Sequence, residues 1–301
     1  MSNEKCDQDS TCKSGDQEGK CSQKEKEDQS EHLIRKTMGE IKNKFMVLSG
    51  KGGVGKSSVA VNLAVTLASE GFSVGIIDAD IHGPDIPKMM GVEGKSLVGR
   101  GDALLPIEAK NGIKLISAAF LLRSKDDAVI WRGPLKHSLL KQFLGDVLWG
   151  PLDYLIIDLP PGTGDEALST AHLIKDVDGA VIVTTPQDVA LLDARKSITF
   201  CRQIKIPLIG VVENMGGFIC PHCKQSLDIF KVGGGEKAAQ EMGVPFLGRI
   251  PLDPEMVNSS DSGLPFVANH PDSETTEVFC RIAKEWRRLL EGNNKKKAKV
   301  G

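Results

Sequence analysis

The run "GKGGVGKS", Gly50 to Ser57, fits G-x-x-x-x-G-K-[ST], the pattern of a loop that cradles phosphate groups. Its glycines let backbone N–H groups turn inward around phosphate oxygens, and a helix opening at its end adds partial positive charge. Gly50, Lys51, Gly52, Gly53, Val54, Gly55, Lys56, Ser57 and Ser58 are therefore the candidate ATP contacts. Lys56 is placed to reach the β- and γ-phosphates and Ser57 to hold Mg2+. Such a loop needs carboxylates to manage the metal and the attacking water. "GIIDADIHGPD" ends a strand-like run at Asp78 and sets Asp80 just beyond it, and "DYLIIDLPPGTGD" ends another at Asp158 before a Pro-Pro-Gly turn suited to a switch. Asp158 is expected to orient Mg2+ through its water shell, and Asp80 to position the water that attacks the γ-phosphate. Aspartates at strand ends also commonly cap the next helix. Here both follow buried runs in the order a nucleotide site requires.

Two features exceed what a phosphate loop needs. Lys51 is a second lysine at the loop's start, poorly placed to fold back on its own γ-phosphate and expected to point outward, toward a partner's nucleotide. Cys220 and Cys223, in "FICPHCK", form a C-x-x-C turn that can present two thiolates to one metal. Four ligands complete a tetrahedral zinc site or a four-iron cluster, and the chain has no second C-x-x-C. A two-fold homodimer would supply the missing pair and give Lys51 a target. The spacing alone leaves an iron–sulfur cluster, a zinc knuckle, a thiol–disulfide motif and an inert pair all open.

The elements that must position these residues are legible as runs. "FMVLS", "SVGIID", "IKLISA", "DYLIID", "GAVIVTT" and "PLIGVVEN" are short and Val/Ile-rich without polar alternation, and helix-like stretches follow Lys56, Pro134 and Gln187. Such runs predict a doubly wound, mostly parallel α/β sheet buried on both faces, with ligands at the strands' carboxyl ends. Three parts are expected. Residues 1–31 hold five Lys against nine Asp/Glu and nothing apolar beyond Met1 and three Cys, which predicts a disordered arm. Residues 32–291 form the nucleotide-binding domain, opening with a helix from about His32 to Ile41 and containing a Gly-rich functional loop at 214–235. Residues 292–301 are read as a basic disordered tail. Val278, Ile282, Trp286, Leu289 and Leu290 recur at helical spacing, which predicts a terminal helix packed on the core rather than a membrane-surface helix.

The 301 residues are 40% apolar with a net charge of −2, enough for a core and unlike a surface built for nucleic acid. No run approaches the ~18 apolar residues of a membrane span, so a cytoplasmic protein is expected, with neither membrane nor nucleic acid as partner. Of the seven cysteines, Cys201 and Cys280 sit in helical patterns and are expected to be ordinary buried residues. His222 lies between the paired cysteines and is not expected to be a ligand.

The loop resembles the deviant phosphate loop (deviant Walker A) of the P-loop NTPase class that includes the nitrogenase iron protein, MinD and ParA. "DADIHGPDIPKMMG", "WRGPL", "WGPLDYLIIDLPPGTGDEALS", "VTTPQDVALLDARK", "GVVENMGGFICPHC", "KVGGGEKAA" and "IPLDP" extend the likeness over roughly residues 37–268. Together they resemble the Mrp/ApbC family of iron–sulfur cluster carrier ATPases. The resemblance implies slow ATP hydrolysis and a homodimer with Lys51 acting across it. It also implies a [4Fe–4S] cluster shared by Cys220 and Cys223 of two chains and passed to apo iron–sulfur proteins, and an Asn214 amide that reads adenine. Cytosolic eukaryotic members carry four N-terminal cysteines for a second cluster. Cys6, Cys12 and Cys21 depart from that pattern, and three thiolates leave open a cluster with one free iron site, metal scavenging or no role. The rival expectations are a MinD/ParA-like positioning ATPase, which has no use for the cysteine pair, and an ATPase switch with structural zinc at the dimer seam.

Overall fold

The computed structural model describes residues 28–300, apart from 102, 123–132, 208, 221, 222 and 224. Cys6, Cys12, Cys21 and His222 therefore lie outside the described residues. In chain order, helix α1 (28–39) leads into β1 (Ile41–Leu48), α2 (Lys56–Ser69), β2 (Val74–Asp78) and α3 (Ile86–Met89). A small hairpin, β3 (Val98–Arg100) and β4 (Ala103–Leu105), precedes β5 (Ile107–Glu108), β6 (Lys114–Ser117) and α4 (Gly133–Gly145). Alternation of strand and helix resumes with β7 (Leu152–Asp158), α5 (Asp165–Ile174), β8 (Gly179–Thr184), α6 (Asp188–Gln203) and β9 (Ile209–Glu213). A second hairpin, β10 (Phe218–Ile219) and β11 (Ser226–Leu227), is followed by α7 (Gly234–Met242), β12 (Phe246–Arg249), α8 (Pro254–Asp261), α9 (Phe266–Asn269) and α10 (Glu274–Val300).

The main sheet has eight strands in the order β12-β9-β8-β1-β7-β2-β6-β5, all parallel except the edge pair β5–β6. Neighbouring residues of one strand serve opposite cores: Met46 and Leu48 pack with α4, α5 and α6, while Phe45 and Val47 pack with α2 and α10. That two-sided burial is why the strand runs carry no polar alternation.

Some boundaries differ from expectation. Ile41 opens β1 instead of closing the first helix, which already includes residue 28, inside the expected arm. Segment 214–235 is not all loop, since it contains the β10–β11 hairpin and the start of α7. The expected tail from 292 continues α10 to Val300, in keeping with the high helix propensity of Lys and Ala. That helix packs on the core through Phe279, Ile282, Ala283, Trp286 and Leu290. Cys201 is buried as expected, but Cys280 is exposed, because it sits one residue off the buried stripe of α10. No described helix is long and apolar enough to cross a membrane.

Candidate nucleotide site and cysteine hairpin

The sheet order sets β7 between β1 and β2, which brings together residues far apart in the chain. Asp158 pairs in register with Val47, just before the phosphate loop, and with Asp78. Two strand-end aspartates thus stand side by side beneath the loop. Residues 49–58 curl over them, and Gly55, at φ 78°, caps the start of α2. A side chain at Gly55 would put its Cβ 2.3 Å from Asn214 Nδ2, so the close approach there requires glycine.

A cavity of about 220 Å³ is lined by Ser49, Lys51, Gly52, Gly53, Gly55, Lys56, Ser57, Ser58, Asp80, Gly83, Asp85, Met89 and Pro161. All the expected loop residues except Gly50 and Val54 line it. Lys51 is exposed, whereas Lys56 is buried with its Nζ 2.6 Å from Asp158 Oδ2. Ser57 donates its hydroxyl to the same oxygen at 2.6 Å and accepts from Lys56 at 3.3 Å. Asp158 Oδ1 is buried and has no hydrogen-bond partner. Burial raises the Asp158 carboxyl above its ordinary range, opposed by Lys56 and Ser57. Asp80 sits at the cavity rim, its Oδ1 accepting from the backbone N–H groups of His82 and Gly83. Gly162 donates its N–H to Ser49 O at 2.7 Å, which ties the turn after Asp158 to the start of the loop.

This donor set suits a hard divalent cation. The Ser57 hydroxyl and the Asp158 carboxylate stand side by side as oxygen donors that such an ion would use, directly or through its water shell, and a buried carboxylate oxygen without a partner calls for positive charge. Once a phosphate draws Lys56 away, Mg2+ held through Ser57 and Asp158 would restore that balance. Asp78 is fully buried, and burial, then the neighbouring Asp158, push its carboxyl well above the ordinary range. It accepts from Ser117 Oγ at 2.8 Å.

A group whose folded pKa is raised binds more protons folded than unfolded, so stability falls as pH climbs from the ordinary carboxylate range to the raised value. Asp78→Asn is therefore expected to raise the melting temperature at pH 8 by roughly 2–4 °C, the size of about 1 kcal/mol in a domain this large. Thermal scans in nucleotide-free buffer should show that gain vanish toward pH 4. A variant no more stable than wild type at pH 8 would contradict a strained Asp78.

Asn214 lies at the carboxyl end of β9. Its Nδ2 donates to Val54 O at 2.9 Å, and its backbone N–H to Thr184 O at 2.7 Å. One N–H of the amide expected to face adenine is thus spent on the back of the phosphate loop. Beyond it the chain turns through Met215, at φ 58°, into the β10–β11 hairpin. Cys220 follows β10, donates its N–H to Gln225 O at 3.0 Å and is half-buried, while Cys223 is exposed at the turn. Among the described residues no group of three or more His, Cys, Asp or Glu side chains could hold a metal ion.

Residues outside the expected set also shape the site. Asp85 lines the cavity, its carboxyl raised by burial and by Asp80. Glu213, at the end of β9, is completely buried and paired with Arg249. Its signal was the one that marked Asp78 and Asp158, an acidic residue ending an apolar strand.

Residues 40–287 match a family model described as NUBPL iron-transfer P-loop NTPase. The chain belongs to the iron-transfer P-loop NTPases. Among relatives of this family, the iron-sulfur cluster carrier protein of Methanocaldococcus jannaschii is 52% identical over 88% of this chain and 90% of its own length. That of Saccharolobus solfataricus is 50% identical over 86% and 88%. A solved nucleotide-binding protein from Archaeoglobus fulgidus, in complex with ADP and with cobalt, superposes with a TM-score of 0.72 at 38% identity, covering 83% of this chain and 96% of that one. The Pyrococcus furiosus cell division ATPase MinD superposes at 0.62 with 25% identity over 82% and 99%. An iron-transfer P-loop NTPase with the fold of MinD accounts for both the loop and the sheet order.

Proposed function

We propose that this protein is a homodimeric, cytoplasmic ATPase that carries a [4Fe–4S] cluster as cargo on Cys220 and Cys223 of two chains and delivers it to apo-proteins. The observation that carries the reading is the cysteine pair at the tip of a hairpin rooted beside the nucleotide loop, in a chain half identical to named cluster carriers.

ATP would enter the cavity with its phosphates on the loop N–H groups. Lys56 would exchange Asp158 for the β- and γ-phosphates, and bound Mg2+ would neutralise developing phosphate charge. Asp80, half-exposed at the rim, would orient the water that attacks the γ-phosphorus, releasing ADP and phosphate. Lys51 is exposed on the cavity wall, so its ammonium is available to a facing chain's nucleotide. A facing surface is at hand. Val189 and Leu192 on α6 are each 62% exposed, and a Lys231–Asp188 ion pair brings the exit of the hairpin segment, with exposed Ile229 and Val232, against the start of that helix. Apolar side chains grouped beside the half-complete metal turn suit contact with a second copy. The positioning-ATPase alternative has less support, since the likeness to MinD is 25% in sequence and leaves the cysteine pair without a task.

The test is transfer. Reconstituted protein is incubated with an apo-enzyme that requires a [4Fe–4S] cluster, and recovery of that enzyme's activity is followed with and without MgATP. Recovery that outpaces free iron and sulfide supports the carrier reading, and recovery no faster sinks it. In the same series Lys51→Ala is expected to bind nucleotide within a few-fold of wild type while ATP turnover falls at least about tenfold, the effect of losing one positioned cation. Turnover equal to wild type would remove Lys51 from the mechanism.

A further inference from the structure

We infer that the dipeptide Glu213-Asn214 couples the phosphate loop to the cysteine hairpin: Asn214 senses the loop, and Glu213 with Arg249 fixes the hairpin's two roots. The inference rests on the functional reading above for its purpose, but not for its geometry.

On the loop side, the contact is Asn214 Nδ2 to Val54 O at 2.9 Å. That oxygen belongs to the peptide unit whose N–H is Gly55's, and no described peptide bond is cis. In a trans peptide the N–H points opposite to the C=O, and Gly55 lines the nucleotide cavity. A phosphate oxygen accepting from that N–H therefore polarises the carbonyl on which Asn214 donates, and cooperative hydrogen bonding strengthens the bond. Any rotation of this peptide on nucleotide binding or release acts directly on the Asn214 side chain.

On the hairpin side, the neighbouring residue holds both ends of the segment. Glu213 Oε1 accepts from Gly233 N at 3.0 Å and from Arg249 Nε at 2.6 Å, while Oε2 accepts from Gly235 N at 2.5 Å. Arg249 reaches on to Glu236 at 2.9 Å. The chain leaves at residue 213 and returns at 233–235, and one fully buried carboxylate ties departure to return. The space is closed around it: a Cβ at Gly216 would lie 2.6 Å from Glu213 Oε1 and 2.5 Å from Arg249. Met215, held in the left-handed region directly after the pair, leaves little slack to absorb a shift on the way into the hairpin. A small rotation at the loop thus passes through one residue pair to the base of the turn that carries Cys220 and Cys223.

The test reads thiols in metal-free, reduced protein. Iodoacetamide labelling rates at each cysteine are followed by peptide mass spectrometry, with and without MgADP or a non-hydrolysable ATP analogue, each at concentrations shown by titration to saturate the variant. Cys201, whose buried thiol is pushed up to about 12, serves as the unreactive reference, and exposed Cys280 as the reference for a distant site. In wild type, nucleotide should change the rates at Cys220 and Cys223 at least about threefold while Cys280 holds steady. In Asn214→Ala and in Glu213→Gln the nucleotide response should fall to within about 1.5-fold of none, and Glu213→Gln should also raise the nucleotide-free rates. If Asn214→Ala loses nucleotide, Glu213→Gln carries the test, because its carboxylate is bonded to Gly233, Gly235 and Arg249 rather than to the cavity. A wild type without a response, or a folded Glu213→Gln that keeps the full response, overturns the coupling. Because no metal is present, finding zinc in place of iron and sulfide would end the carrier reading without touching this result.

Discussion

Lys56→Ala is expected to lower ATP turnover by at least about 100-fold, the scale of removing one donor aimed at developing charge. The structure adds a second consequence. In the nucleotide-free protein Lys56 is the cation beside Asp158, whose side chain is completely buried. Removing one partner of a buried pair typically costs about 3–5 kcal/mol, because the remaining charge stands alone. Asp158 has an escape, since burial already raises its carboxyl and the loss of Lys56 removes the largest opposing influence. The variant's Asp158 takes up a proton at higher pH than wild type's. Its stability deficit is therefore largest above that raised pKa and shrinks as pH falls toward the ordinary carboxylate range. Thermal unfolding of both proteins between pH 8 and pH 5 checks the sign. Lys56→Ala/Asp158→Asn should regain most of the stability while remaining inactive, which separates the catalytic role from the structural one. Turnover within tenfold of wild type would refute the phosphate-loop assignment, and a deficit independent of pH would refute the buried-carboxylate account.

What made this site legible in the sequence was local. The phosphate loop is a contiguous pattern, and the four residues before Asp78 and before Asp158 carry no charge because alternate residues feed two different cores. Their adjacency was not local. It depends on β7 inserting between β1 and β2, which no periodicity reports. The hairpin of segment 214–235 escaped because its strands are two residues long, too short for alternation to register. Glu213 carried a readable signal as an acidic residue ending an apolar strand. Arg249 did not: its role follows from the parallel pairing of β12 with β9, which sets Arg249 opposite Glu213, and β12 itself is four residues containing Gly248 and an arginine. Cys280 shows the resolution limit of helical periodicity, since one position of rotation separates a buried residue from an exposed one.

The second large effect is expected at the cysteines. Anaerobically reconstituted wild type should hold about two irons and two sulfides per chain, the ratio of one four-iron cluster to two chains, because four thiolates hold such a cluster. Cys220→Ala/Cys223→Ala should hold less than about a tenth of that at this site and elute from gel filtration at the monomer position, while wild type elutes as a dimer. Structural damage is a poor explanation for such a loss. Cys223 is exposed, Cys220 is half-buried, and neither belongs to the two cores, so the unfolding free energies of the two cluster-free proteins should differ by no more than surface substitutions allow, about 0.5 kcal/mol. Iron remaining in the double variant would have to sit elsewhere, and Cys6, Cys12 and Cys21 are the next thiols to replace. Zinc at about half an ion per chain with no sulfide would convert the turn into a tetrahedral clasp between two chains. The loop, the aspartates and the dimer would then stand, and the cargo would not.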